Sequence, residues 1–354
     1  MRRGRVAVGM SGGVDSSAAA ALLLEQGYDV VGVTMRHLPP EAANSCCSLE
    51  ALVDARRVAK KLGIAHHVVD VEAPFAEHVI HPFEEAYLAG QTPNPCAQCN
   101  RYIKFGALWD WAAAAGADAI ATGHFARVVR ARDHWELWRG TDAVKDQSYI
   151  LYTLGQEDLA HVLFPLGEWT KAQVRAYADE KGLVTAHKPE SQELCFVAKN
   201  DYRRYLAEHR PEAEAAGEIV DTAGRRLGQH AGVAFYTVGQ RRGLGVHAAT
   251  PLYVVGVDAT ANQVVVGTHD EALAREAEVA LVRYPDGRLP GDVAGTVRVR
   301  SHAKETPARW HPLGADRAAV QFTPPEWAVA PGQVAVLYDG PHLLAGGQID
   351  RVTA

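Results

Sequence analysis

The sequence predicts an α/β protein: a parallel-sheet domain followed by a small β-rich central domain and a C-terminal β-barrel. Three observations carry this. Short apolar runs alternate with helical stretches through the first half, which implies right-handed crossovers and a parallel sheet. From Gly217 onward the pattern becomes short β-like runs broken by glycine and proline (VAFYTVG, LYVVGVD, QVVVGT, VAGTVRVR, RAAVQF, QVAVLYDG), which predicts antiparallel strands and a barrel. A length of 354 residues also exceeds one ordinary core. The divisions are expected at 1–203, 204–272 and 273–354.

Taken in order, residues 5–9 predict a strand and 16–26 a helix, with Gly27 where a terminating glycine belongs. Residues 29–35 read as a buried strand, 49–62 as an amphipathic helix stopped by Gly63, and 66–71 as a third strand. A helical stretch at 74–89 leads to a loop at 91–100, a helix running to Ala115, and a fourth strand at 119–122. Ligands of such sheets sit at the carboxyl ends of the strands.

The composition is that of an ordinary globular chain, 47% hydrophobic and 22% charged. No apolar run approaches the roughly 20 residues of a membrane span. The basic start Met1-Arg2-Arg3-Gly4-Arg5 leads straight into a strand, so no export signal and no membrane partner are expected, and the location is expected to be cytoplasmic. Five cysteines are too few for a disulfide scaffold and odd in number, which points to catalysis or metal. A net charge of −6 argues against broad adhesion to nucleic acid, DNA included, yet leaves room for a locally basic surface.

The chemistry begins at Gly9-Met10-Ser11-Gly12-Gly13-Val14-Asp15-Ser16-Ser17, between the first strand and helix. Gly12 and Gly13 let backbone approach a phosphate, while Ser11, Ser16, Ser17 and helix N-terminal amides supply donors. Asp15 suggests Mg²⁺ coordination or polarisation of a leaving group. The lysine of GxxxxGK[ST] is absent, so phosphoryl transfer of that kind is not supported. The run resembles the pyrophosphate loop of the N-type ATP pyrophosphatases, which cleave ATP between the α and β phosphates and so form adenylates.

Two further segments carry cysteine. Thr92-Pro93-Asn94-Pro95-Cys96-Ala97-Gln98-Cys99-Asn100 opens a helix with two thiols one turn apart, where helix amides favour thiolate; a zinc knuckle is the alternative. Cys195 stands in Ser191-Gln192-Glu193-Leu194-Cys195-Phe196. The pair also matches half of a zinc-deaminase pattern, but the one H-x-E, His134-Trp135-Glu136, lies downstream in a predicted strand, which is the wrong order.

Together, GMSGGVDSS, CCSLEALVDARRVAKKLGI, TPNPCxxCNRYIKF, ATGHFAR, KDQSYIL, SQELCF, YTVGQRRGLGV and PGQVAVLYDG resemble the tRNA-specific 2-thiouridylase family, from about Arg5 to Ile349. The resemblance implies a sulfurtransferase that adenylates the C2 oxygen of a wobble uridine with ATP and Mg²⁺, then delivers sulfur from a sulfur-donor protein. It assigns ATP to Gly9, Met10, Ser11, Gly12, Gly13, Val14, Asp15, Ser16, Met35 and Gly123. Cys99 would be the nucleophile and Cys195 the persulfide carrier, the two closing a disulfide. Asn94, Pro95 and Cys96 would lie against the target base. Asp146, Gln147, Ser148, His124 and Gln333 would touch tRNA. In the β-rich half, Arg298, Arg300, Ser301, His302, Lys304 and Arg309, with Arg241 and Arg242, form a candidate RNA-binding stretch.

Cys96 departs from the aspartate common at this position, which weakens a mechanism resting on a carboxylate base there. It creates a three-thiolate set, Cys96, Cys99 and Cys195, for which a [4Fe–4S] cluster and simple persulfide chemistry both remain open. Cys46 and Cys47 match a family variant and read as structural. Competing functions are another adenylating tRNA modifier and a non-catalytic nucleotide-dependent RNA-binding protein; neither requires Cys99 and Cys195.

Overall fold

The structure is a computed structural model that describes residues 3–38, 48–189, 194–289, 291–301 and 303–353. Cys46, Cys47, Ser191, Gln192, Glu193 and His302 lie outside the described residues.

Among the described residues the strands form three sheets. The first contains β1 (Arg3–Gly9), β2 (Tyr28–Arg36), β3 (Ala65–Asp70), β4 (Ala119–Ala121) and β7 (Val162–Leu163), all parallel, in the order β3-β2-β1-β4-β7. The order reverses direction between β1 and β4. That switch point opens a crevice at the carboxyl ends of the strands, where open α/β sheets bind ligands.

Helix α1 (Val14–Glu25) follows β1. Its Ala18, Ala19, Ala20 and Ala21 are all buried, as are Leu22 and Leu23, so small side chains let neighbours close around it. One neighbour is α2 (Leu49–Leu62), capped at its start by the Ser48 side chain and ended at Gly63, as expected. The other is α3 (Lys171–Glu180), which opens on a capping box of Thr170 and Gln173. Packing on every side fixes where the first turn of α1 points. Truncating Leu23 to alanine would cost about 2–5 kcal/mol.

The helix carrying the two cysteines starts at Pro95–Gln98, continues with π-type winding over Cys99–Ala107, and finishes at Leu108–Ala114. Asn94 accepts a hydrogen bond from the Ala97 amide at 3.2 Å, and Pro95 takes the first helical position.

The remaining strands build two β modules. β8 (Gly217–Asp221), β9 (Arg226–His230), β10 (Tyr253–Asp258) and β11 (Gln263–Gly267) form the central sheet. β11 pairs with β8 in parallel, which corrects the expectation of a wholly antiparallel second half. β12 (Leu273–Arg283), β13 (Val293–Arg298), β14 (Thr306–Pro312), β15 (Arg317–Trp327), β16 (Val334–Asp339) and β17 (His342–Thr353) close into a barrel through β12 and β17, around a core that includes Trp310, Val320 and Ile349. A hairpin from the first half, β5 (Ala126–Arg130) and β6 (Trp135–Arg139), extends this sheet: His342 and Leu343 pair with Trp138 and Leu137. No helix of the described residues is long and apolar enough to cross a membrane.

Candidate active site

The loop after β1 turns at Gly12, whose φ of +69° is left-handed. A Cβ there would lie 2.1 Å from the Ala51 carbonyl oxygen. Gly13, the N-cap of α1, provides no side-chain cap, so the helix amides face the crevice without an internal acceptor. The serines also bond within the loop. Buried Ser17 donates to the Gly13 carbonyl at 2.7 Å, and the Ser16 hydroxyl oxygen accepts from the Ser11 amide at 3.2 Å. Both hold the loop's shape, and exposed Ser11 keeps its hydroxyl 3.3 Å from that of Ser16. Val14 and Met10 are buried supports, with the Met10 amide donating to Val33.

A chain of hydrogen bonds steadies the loop's first residue. Thr34 donates its one hydroxyl proton to the Met10 carbonyl at 2.7 Å, so its oxygen accepts from His66 Nε2 at 2.9 Å. Burial, reinforced by Arg56, lowers the His66 pKa and favours this neutral donor. Met35 lies beside Thr34 near the end of β2.

On the far side of the crevice, Gly123 follows β4 and abuts the loop. A Cβ at Gly123 would sit 2.7 Å from the carbonyl carbon of Asp15 and the amide nitrogen of Ser16. Asp15 receives Lys171 Nζ at 2.7 Å on both carboxylate oxygens, and Lys171 is only 8% exposed. Sequence reasoning missed Lys171, which stands 156 residues from Asp15 at the start of α3. Its local signal, the Thr170–Gln173 capping box, announces a helix and not a phosphate site.

Cys99 and Cys195 pack against the same apolar cluster, which includes Phe75, Ile103 and Phe196. Cys96 is exposed. Among the described residues no three of His, Cys, Asp and Glu are grouped as metal ligands, so Cys96, Cys99 and Cys195 do not form a preassembled cluster site. Of the expected target-base residues, Asn94 is engaged as a helix cap, Pro95 is buried and Cys96 is exposed.

Several expected RNA contacts face inward. His124 is 5% exposed, with Nδ1 at 2.7 Å from Thr122 Oγ1 and Nε2 at 3.5 Å from Lys104 Nζ. Burial first, and then Lys104, hold its pKa well below the ordinary histidine value. Asp146 accepts from the Ser148 amide and hydroxyl and pairs with Arg298 at 3.5 Å; fully buried Ser148 reaches Tyr338. Gln147 accepts from the Phe125 amide at 3.0 Å. Asp146 and Ser148 join the first domain to the barrel, and Gln147 stays bonded within the first domain. Arg298 also binds Glu305, Arg300 donates to the Trp327 carbonyl, and Arg309 pairs with Asp292. Gln333 donates to the Thr92 and Pro93 carbonyls. Arg241, Arg242, Ser301, Lys304 and Arg309 are exposed, Arg309 while paired with Asp292.

Fold and site together define a class: a parallel-sheet α/β domain with a glycine-rich loop after its first strand, carrying β modules and two cysteines on one apolar cluster. Family models match along the chain, a tRNA methyl transferase HUP domain at residues 4–199, a tRNA methyl transferase PRC-barrel domain at 203–268 and an aminomethyltransferase β-barrel domain at 278–349. The tRNA-specific 2-thiouridylase MnmA of Moorella thermoacetica is 48% identical over 356 residues, covering 98% of this chain and 99% of that protein. That of Chloroflexus aggregans is 49% identical, covering 98% of each. Among solved structures, a 4-thiouridine synthetase–RNA complex with bound ATP aligns at 17% identity and a TM-score of 0.37, over 59% of this chain and 51% of that one. The chain belongs to the tRNA-specific 2-thiouridylase family.

Proposed function

We propose that the chain is a tRNA 2-thiouridylase, a sulfurtransferase acting on the wobble uridine of an anticodon loop in the cytoplasm. The observation that carries this is the uncapped phosphate loop in the same crevice-lining domain as Cys99 and Cys195, which share one apolar cluster. The proposed division of labour is catalysis in 1–203, linkage in 204–272 and tRNA binding in 273–354.

The C2 carbonyl of uracil is a poor electrophile with a poor leaving group. Attack of its oxygen on the α-phosphate of ATP releases pyrophosphate into the amides of Gly12, Gly13 and Val14 and leaves an adenylated base. Mg²⁺ bound with the nucleotide would neutralise charge on the departing pyrophosphate, while Lys171 holds both carboxylate oxygens of Asp15. The terminal sulfur of a Cys195 persulfide attacks C2, and the C2–O bond breaks with its electron pair on AMP. Cys99 thiolate then attacks Cys195 Sγ, breaking the S–S bond to leave the thiocarbonyl and a Cys99–Cys195 disulfide. A sulfur-donor protein reloads Cys195 after the disulfide is reduced. The base enters from an unpaired loop, where flipping costs least.

No step passes through an iron–sulfur cluster, because no three-ligand group exists among the described residues. The deciding experiment incubates the enzyme with unmodified tRNA, ATP and a sulfur source, followed by nucleoside mass spectrometry. The expected product is 2-thiouridine, lost in Cys99→Ser and Cys195→Ser and retained in Cys96→Ala. Another modified nucleoside would identify a different adenylating enzyme. Loss in Cys96→Ala, together with visible absorbance after anaerobic reconstitution, would replace the persulfide route with cluster chemistry.

A further inference from the structure

The helix bearing Cys99 is wound with i→i+5 hydrogen bonds: the Leu108 amide donates to the Ile103 carbonyl. Such winding is rare and is found frequently at functional sites. It completes a turn roughly every four to five residues, so Cys99 and Lys104 project from neighbouring faces. In an α-helix of about 3.6 residues per turn, positions five apart diverge widely.

Lys104 is half-buried and lies 3.5 Å from His124 Nε2. An ammonium has only donors, so His124 accepts at Nε2 and its Nδ1 proton goes to Thr122 Oγ1. The imidazole is therefore a neutral strut, clamped between Phe105 and Phe164. Among the described residues no carboxylate pairs with Lys104, whereas Lys171 has Asp15. His124 adjoins Gly123, which touches the phosphate loop at Asp15 and Ser16. A cation without a carboxylate is thus held between the nucleophile's helix and the nucleotide loop.

The geometry points to Lys104 as a further catalytic residue, its ligand being the α-phosphate of ATP and of the adenylated base. The ammonium offsets charge on the non-bridging oxygens as pyrophosphate leaves, and again as AMP takes the electron pair of the C2–O bond. This rests on the adenylation reading above.

The test uses the full chain with unmodified tRNA. In Lys104→Met, tRNA affinity should stay within about twofold while pyrophosphate release falls about 100-fold, the scale set by removing one transition-state donor. Lys104→Arg should recover at least about tenfold of that loss. The wild-type rate ratio between the two diastereomers of α-thio-ATP should change at least about tenfold in Lys104→Met, which a purely structural role would not cause. Lys104→Gln gives the same reading if the methionine variant misfolds. Pyrophosphate release within about threefold of wild type would overturn the inference. So would tRNA affinity falling in step with rate, which would make Lys104 an RNA-phosphate contact. Wild-type enzyme that released no pyrophosphate would instead defeat the adenylation reading itself.

Discussion

Gln333 and Thr92 stand 241 residues apart, yet Gln333 Nε2 donates to the Thr92 carbonyl oxygen at 2.9 Å. The contact is reinforced on both sides. The Thr92 amide donates to Pro331 at 2.8 Å, and the Tyr149 hydroxyl donates to the Val334 carbonyl at 2.8 Å. The barrel therefore grips the loop that leads into Asn94, the cap of the cysteine helix. Module and active site are mechanically one.

Replacing Gln333 with leucine should accordingly act on rate before affinity. Removing the hydrogen bonds costs on the order of 1.4 kcal/mol, enough to lower single-turnover thiolation about tenfold. The tRNA dissociation constant, read by filter binding, should stay within about twofold. A matching loss of affinity would return Gln333 to the role of RNA contact.

Gly12→Ala should disable the loop. The side chain would have to occupy left-handed backbone and meet the Ala51 carbonyl at 2.1 Å, forcing the loop away from α2. Left-handed backbone alone costs roughly 1–2 kcal/mol, and the clash adds to it. Denaturant unfolding should show the destabilisation, and equilibrium binding of ATP should fall below detection. Normal ATP binding would mean that the loop tolerates a second path.

How much of this was legible depended on how local the cause was. The turn after the first strand, the helix from 49 to 62 and the parallel strands follow from residues adjacent in sequence. Lys171 with Asp15, and Gln333 with Thr92, exist only because distant segments meet, and neither leaves a local pattern. The sequence predicts a strand at 134–136, but not its pairing into a hairpin with β5, because these five-residue strands carry arginine and glutamate among their apolar positions. Its alternation about Asp133 was the available signal. The burial of His124 and Ser148 and the pairing of Asp146 with Arg298 were not legible for a related reason: a polar residue reads as exposed until the fold buries it.

Lys171→Met tests what the ion pair does. With the lysine gone, Asp15 remains a carboxylate beside the incoming polyphosphate, an uncompensated like charge in a sheltered site. The KM for ATP should rise at least about tenfold. Adding Asp15→Asn to Lys171→Met removes the repulsion and should restore part of the affinity, measurable by isothermal titration. No recovery in the double variant would show that Lys171 binds phosphate directly instead of masking Asp15.

Glu305 couples the same interface to pH. Burial alone would raise its pKa, but hydrogen bonds from Arg139, Thr296 and Arg298 overcome this and lower it to about 2 from 4.5. The sign follows. A carboxylate with a depressed folded pKa stabilises the protein fully above its unfolded value, and that stability drains away as pH falls from about 4.5 towards 2. The shift corresponds to a contribution on the order of 3 kcal/mol at neutral pH. Glu305→Gln should lose most of it at pH 7, leaving Arg139 and Arg298 without their shared anion. Denaturant midpoints of the wild type and Glu305→Gln should therefore converge as pH is lowered from about 5 to 3. A gap that stayed constant over that range would mean that the bonds stabilise through shape alone, and that the charge of Glu305 contributes nothing to holding the barrel on the first domain.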